Sequence, residues 1–224
     1  MLQRHFGSRH IHPRPLLLAL LILIGFGAQG KMAYAEDRQQ IIVAGGCFWC
    51  VEKDFEQVKG VIEAESGYIG GTVTNPSYKQ VTKGGTGHYE AVRITYDADV
   101  ITARSLYDMF FRSVDPTDAG GQFCDRGASY RTAIFADGAD RKAAEAAKAD
   151  AQAALGQTIV TPIEPTARFY VAEDYHQDYY KSSKIVLTRF GPLSRANAYK
   201  RYRKACGRDA RVQELWGSAA PFVN

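Results

Sequence analysis

The sequence predicts an α+β fold: a split βαβ (ferredoxin-like) sandwich with the nucleophile at a helix N-terminus and helical additions at the C-terminal end. Three observations predict it. Apolar and alternating segments follow the order β-α-β-β-α-β. "GGCFWC" sets a thiol where the first strand gives way to the first helix. The chain behind a short leader is long enough to bury one sizeable core without disulfide staples.

The leader comes first. Arg4, Arg9 and Arg14 precede an apolar run from Leu16 to Ala28, and Ala33 and Ala35 stand in A-x-A spacing before Glu36. That order predicts a secretory signal peptide over residues 1–35 and a single catalytic domain over 36–224. The rival is a membrane anchor, but the run is short of the about 20 apolar residues that a span needs. Cleavage after Ala35 would leave no stable membrane insertion and an exported, periplasmic product. The leader holds four of the 28 basic residues (Arg4, Arg9, Arg14, Lys31) and no acid, so 24 basic face 24 acidic residues in the remainder. With no basic excess left, nothing argues for nucleic acid as a partner.

"QQIIVAGG" reads as a buried strand ending in glycines. "CFWCVEKDFEQV" has Phe48, Val51, Phe55 and Val58 at helical spacing. "GVIEAESGYIGG" is a second strand, and residues 70–88 read as a long loop rich in Gly, Asn, Pro and Thr. "YEAVRITYD" alternates as a half-buried strand and "TARSLYDMFFRSV" as an amphipathic helix. A second loop spans 115–129, then "YRTAIFAD" is a strand and "GADRKAAEAAKADAQAAL" a helix. "TPIEPTARFYVAED" contains a short extended piece, and helices are expected to fill 175–206. Two loops of that length need a functional reason.

Cys47 is expected in the first turn of its helix, where unpaired N–H groups and the helix dipole favour a thiolate. The plain alternative is a buried, inert cysteine. Of the readings of C-x-x-C, haem attachment fails because Val51 stands where His is needed. A zinc ribbon fails because no second C-x-x-C exists, and only His88 and His176 lie outside the leader. No metal is expected. A strand-then-helix dithiol survives.

"GCFWC" resembles the signature of A-type peptide methionine sulfoxide reductases. The resemblance continues in "SGYIGG", "NPSY", "GGTGHYEAVRITYD", "DPTDAGGQFCDRGASYRTAIF" and "YVAEDYHQDYY", in the family's order and over roughly residues 42 to 190. It implies reduction of the S epimer of methionine sulfoxide, free or in oxidised proteins, with no bound cofactor and an external thioredoxin-like dithiol. By that resemblance Cys47 is the nucleophile and Phe48 and Trp49 wall a pocket for the substrate methyl. Glu90 is an acid held protonated by burial. The hydroxyls of Tyr78 and Tyr130 bind the sulfoxide oxygen, and Asp125 is a carboxylate near the nucleophile. Each has a bland counterpart: with 13 tyrosines in the chain, motif position alone singles out these two. His88 and His176 are read as structural hydrogen-bonding residues.

A sulfenic acid formed at Cys47 condenses with a second thiol, and here the chain departs from the family's better-known pattern. The tail "YRKACGRDARVQELWG" is not glycine-rich, Cys124 stands where Asn is common, and Cys50 where Gly is common. Cys50, three residues on, lies on the same helix face with Cβ atoms about 5–6 Å away, close to the roughly 3.5–4.5 Å a disulfide needs. Cys206 has basic neighbours, Lys204 and Arg208, while Asp125 opposes a thiolate at Cys124. Cys50 is therefore the first candidate to resolve and Cys206 the second. Two rival functions stand beside this one: a thioredoxin-like exported disulfide oxidoreductase using Cys47 and Cys50, and a non-catalytic module that binds methionine in its aromatic pocket.

Overall fold

The computed structural model describes residues 1–3 and 37–223. Of the predicted leader, only residues 1–3 are among the described residues. Among those described, no helix is long and apolar enough to cross a membrane.

The predicted β-α-β-β-α-β order is present. It comprises β1 (Arg38–Gly45), α1 (Phe48–Glu56), β2 (Val61–Ile69), β3 (Tyr89–Asp97), α3 (Ala103–Phe111) and β6 (Thr132–Phe135). A short helix, α2 (Tyr78–Lys83), and a small hairpin of β4 (Gly121–Gln122) and β5 (Asp125–Arg126) are set between them. The core strands lie in the order β6-β1-β3-β2, all antiparallel, as in a ferredoxin-like sheet. β7 (Ile163–Glu164) adds parallel to β6 and β8 (Tyr170–Val171) antiparallel to β2.

β1 is central and covered on both faces, which is why it reads as a continuous apolar run rather than an alternation. Ile41 and Val43 face α1 and α3, packing with Phe55, Leu106 and Phe110. Ile42 and Ala44 point the other way, beside Ile69, Ala91 and Phe135, with Phe169 packed over them. α4 (Gly138–Leu155) packs on α3 and ends at Gly156 in the left-handed region (φ 63°), a common helix stop.

Three expectations are corrected. Residues 70–88 are not all loop, because Gln80 reaches back to accept the Ser77 N–H at 2.9 Å and starts α2. The 115–129 segment closes into the β4–β5 hairpin, clamped by Gln122, whose amide exchanges two 2.8 Å hydrogen bonds with the backbone of Asp115. Nor is 175–206 wholly helical. β9 (Ile185–Thr188) and β10 (Gly191–Ser194) form a hairpin before α5 (Arg195–Cys206) and α6 (Arg208–Trp216). Pro192 and Gly191 (φ 89°) oppose a helix there, and Ile185, Val186 and Thr188 favour a strand.

Candidate active site

Gly46 brings the chain off β1 with φ 81°, and a Cβ there would lie 2.6 Å from that of Gln122. Only glycine fits this corner. The next residue, Cys47, is the N-cap of α1, and its carbonyl accepts the Cys50 N–H at 3.0 Å. The expected position at the helix end is therefore met to within one residue.

All seven residues expected to bind or react line one cavity of about 430 Å³: Cys47, Phe48, Trp49, Tyr78, Glu90, Asp125 and Tyr130. Cys50, Cys124 and Cys206 line it too. Cys47 and Tyr78 come from helix starts, Glu90 from β3, and Asp125 and Tyr130 from the second long loop and the 3₁₀ turn that follows it.

Glu90 is 1% exposed. Its Oε2 accepts the Phe48 N–H at 3.2 Å and its Oε1 has no partner. Burial pushes its carboxyl up to about 8, opposed by the hydrogen bond from Phe48 and helped by the Asp125 charge. The group is thus a carboxylic acid at neutral pH with one oxygen free toward the cavity. The Tyr130 hydroxyl donates to that of Tyr78, and burial holds both phenols protonated. Burial also raises Asp125, against the pull of Arg208.

Phe48 is fully buried and packs on Tyr68 and Tyr78, so it is core and cavity wall at once. Trp49 stacks on Tyr179 with ring centroids 3.7 Å apart, and its indole N–H donates to His176 Nδ1 at 3.2 Å. His176 is therefore the residue that fixes the Trp49 wall. Burial lowers it to about 4 and keeps it neutral, as an acceptor must be. His88 accepts the Gly71 N–H through Nδ1 and meets the Val73 carbonyl through Nε2 at 2.8 Å, pinning the first long loop.

The thiols depart from the sequence reading. Cys47 and Cys50 are unbonded and share a hydrogen bond. Cys47 donates it, and that bond, burial and the nearby charges of Cys50, Glu90 and Asp125 push its thiol well up. The same bond lowers Cys50 to about 7, helped by Arg208 and Arg203. The dithiol therefore gives up its first proton more readily than an isolated thiol, and the two sulfurs share that titration. Cys124 is bonded to Cys206 across 82 residues.

The tail arrives by charge. Arg203 donates to Asp54 at 2.9 Å, to Asp209 at 2.9 Å and to the Tyr199 hydroxyl at 3.0 Å. Arg208, 2% exposed, donates to the carbonyls of Gly45 and Ser113 at 3.1 and 3.0 Å and lies over the Phe123 ring. Of these, only Arg208 was singled out in the sequence, as a basic neighbour of Cys206. Clustered metal-ligand types exist at Cys124, Asp125 and Cys206 and at Glu52, Glu56 and Asp178. The first pair of sulfurs is spent on the disulfide, and Lys181 sits on Glu56 and Asp178 at 3.0 and 2.7 Å.

A ferredoxin-like frame with a dithiol at a helix N-terminus and a neutral carboxylic acid in the same cavity defines a thiol-dependent oxidoreductase. The family profile "Peptide methionine sulfoxide reductase" matches residues 39–216. "Peptide methionine sulfoxide reductase MsrA 2" of Caulobacter vibrioides is 44% identical over 205 residues, 91% of this chain and 98% of the relative. The protein of that name from Rhizobium meliloti is 48% identical over 190 residues, 84% and 88% of the two chains. Among solved structures, reduced Mxr1 of Saccharomyces cerevisiae superposes with TM-score 0.61 at 37% identity, covering 65% of this chain and 85% of that one. Methionine sulfoxide reductase A of Corynebacterium diphtheriae gives 0.57 at 32% identity, covering 63% of this chain and 73% of that one. The chain belongs to the peptide methionine sulfoxide reductase family, A type. It is an enzyme that reduces the S epimer of methionine sulfoxide to methionine through cysteine chemistry.

Proposed function

We propose the following division of labour. The carrying observation is that the seven expected residues, Cys47 among them, and the other three cysteines line one cavity. The substrate methyl packs against Phe48 and Trp49. Its sulfoxide oxygen meets the free oxygen of Glu90 and the hydroxyls of Tyr78 and Tyr130. Cys47 attacks the sulfur as its proton passes to the Cys50 thiolate, and Glu90 protonates the departing oxygen. The bond formed between the two sulfurs then breaks as the hydroxyl passes to Cys47, so that thiol and sulfoxide become sulfenic acid and thioether. Cys50 then condenses with the sulfenic acid, releasing water and forming the Cys47–Cys50 disulfide. A reduced Cys124/Cys206 pair takes over that oxidation by exchange, and Cys124, the exposed member, offers it to an external thioredoxin-like dithiol.

A disulfide oxidoreductase would need Cys47 and Cys50 but leaves Glu90, Tyr78 and Tyr130 idle. The test is incubation with separated sulfoxide epimers and dithiothreitol, following methionine. Release from the S epimer alone is expected, and turnover of disulfides but not sulfoxides would overturn the assignment. We also propose export with cleavage after Ala35. The exported product should begin at Glu36 on N-terminal sequencing, and retention of Met1 in the membrane fraction would count against it.

A further inference from the structure

The β9–β10 hairpin departs from the usual pattern of a half-solvated strand. A strand with one solvent face alternates apolar-in and polar-out. Here both faces are apolar. Val186 and Leu193, paired across the hairpin, turn inward and pack on the cluster of Cys50, Tyr179 and Tyr199. The outward face carries Ile185, 69% exposed, and Leu187, 85% exposed, with exposed Pro192 opposite Leu187. β9 and β10 pair only with each other among the described residues, so each keeps an edge without a strand partner. Val186, Leu187 and Thr188 also line the cavity that holds Cys47. The apolar strand is the rim of the reaction site.

We propose that this hairpin is the docking strip for the polypeptide on either side of a methionine sulfoxide, and that the enzyme prefers extended, locally unfolded segments with apolar neighbours. The inference rests on the reductase reading above. Because Val186, Leu187 and Thr188 line the cavity, a chain that lowers its sulfoxide side chain toward Cys47 can run out over β9. Ile185 and Leu187 are two residues apart on one face, about 6.6 Å, which is the same-face spacing of an extended peptide. An open strand edge can add main-chain hydrogen bonds, with side chains read at alternate positions. The free amino acid would use the cavity alone.

The test uses two unstructured heptapeptides with a central methionine (S)-sulfoxide, one flanked by leucine and valine, the other by serine, with dithiothreitol as reductant. For the unaltered protein, kcat/KM should favour the apolar peptide by roughly tenfold or more, the usual worth of a partly covered apolar contact. The difference should lie in KM. Ile185→Ser combined with Leu187→Ser should bring the ratio to within about twofold of one. The serine peptide is the internal reference, since both peptides use the same catalytic groups. If the double variant fails to fold, Ile185→Ser alone must lower the ratio. A ratio near one in the unaltered protein, or one unmoved by the variants, overturns the proposal. So does a loss confined to turnover driven by a thioredoxin, which would make the hairpin a reductant surface. If no sulfoxide is reduced at all, the reductase reading falls instead. Fluorescence anisotropy of the two labelled peptides then still decides whether the hairpin binds apolar flanks.

Discussion

The nest around Cys47 and the C-terminal segment that closes over it are held by different physics. The nest is set by burial: β1, α1 and β3 place Cys47 and Glu90 because Ile41, Val43, Phe55 and Val92 have nowhere else to go. The tail contributes Val212 and Trp216 to the same core. Its approach to the cysteines, however, is set by a few directional contacts of Arg203 and Arg208 with Asp54 and backbone carbonyls. Apolar burial is tolerant and spread over many residues, whereas a buried ion cluster fails when one partner goes. The lesson is a division of tasks. The core fixes the nucleophile, the acid and the Cys47–Cys50 hydrogen bond, and the tail adds positive charge near Cys50 and carries one half of the second disulfide.

The sharpest break is at the nucleophile. Cys47→Ser should remove sulfoxide reduction entirely, because an alcohol is a far weaker nucleophile and forms no sulfenic acid. Cys206→Ser should keep the first turnover and lose exchange with an external protein dithiol. Stopped-flow single turnover beside steady-state assays separates the two, and equal losses would erase the distinction between core and tail.

Glu90→Gln comes next, with a loss on the order of 10²–10⁴-fold, the worth of a placed general acid. The pH profile gives the sign. The Glu90 acid works while protonated and is lost as pH rises through about 8. The Cys50 thiolate is gained as pH rises through about 7. The rate should therefore peak between about 7 and 8, and Glu90→Gln should lose the alkaline limb while keeping the acid one.

For the tail, Asp54→Asn should cost about 3–5 kcal/mol in urea unfolding, since it strips the carboxylate from two buried guanidinium groups. It should also expose 195–216 to limited proteolysis. An unchanged unfolding midpoint would mean that apolar contacts of Val212 and Trp216 suffice.

The smallest effect concerns Glu52, buried against Ser66 and the Asp178 N–H. Burial raises it to about 8 from an ordinary 4.5. The folded state therefore holds a proton that the unfolded state releases, and stability falls as pH rises from about 4.5 to 8. Glu52→Gln should flatten that fall in thermal denaturation between pH 5 and pH 8.

Most of the core was legible in the sequence, because strand and helix periods are local. Phe48, Phe55 and the alternation of "YEAVRITYD" each report on neighbours within a few positions. The site residues were legible through motif resemblance rather than through period. The tail was not. Arg203 meets Asp54 across 149 positions and Cys124 meets Cys206 across 82, and no local pattern carries such pairings. An arginine within a helix reads as a solvated residue until its partner is placed. The same holds for the part of the Cys50 shift that Arg208 and Arg203 supply, although its largest cause is the hydrogen bond with nearby Cys47. His176 was read correctly as a hydrogen-bonding residue, but its partner Trp49 lies 127 positions away.

The proposed series of two dithiol pairs, Cys47/Cys50 within the core and Cys124/Cys206 at the tail, has a stoichiometric signature. Counting methionine settles it. The fully reduced protein receives excess S-sulfoxide without reductant, and disulfides are then mapped by mass spectrometry. Two dithiols in series should yield two methionines per chain and end with Cys47–Cys50 and Cys124–Cys206 bonded. Protein starting with Cys124–Cys206 already closed should yield one. A single methionine from the fully reduced chain, with Cys47 bonded to Cys206, would contradict the claim.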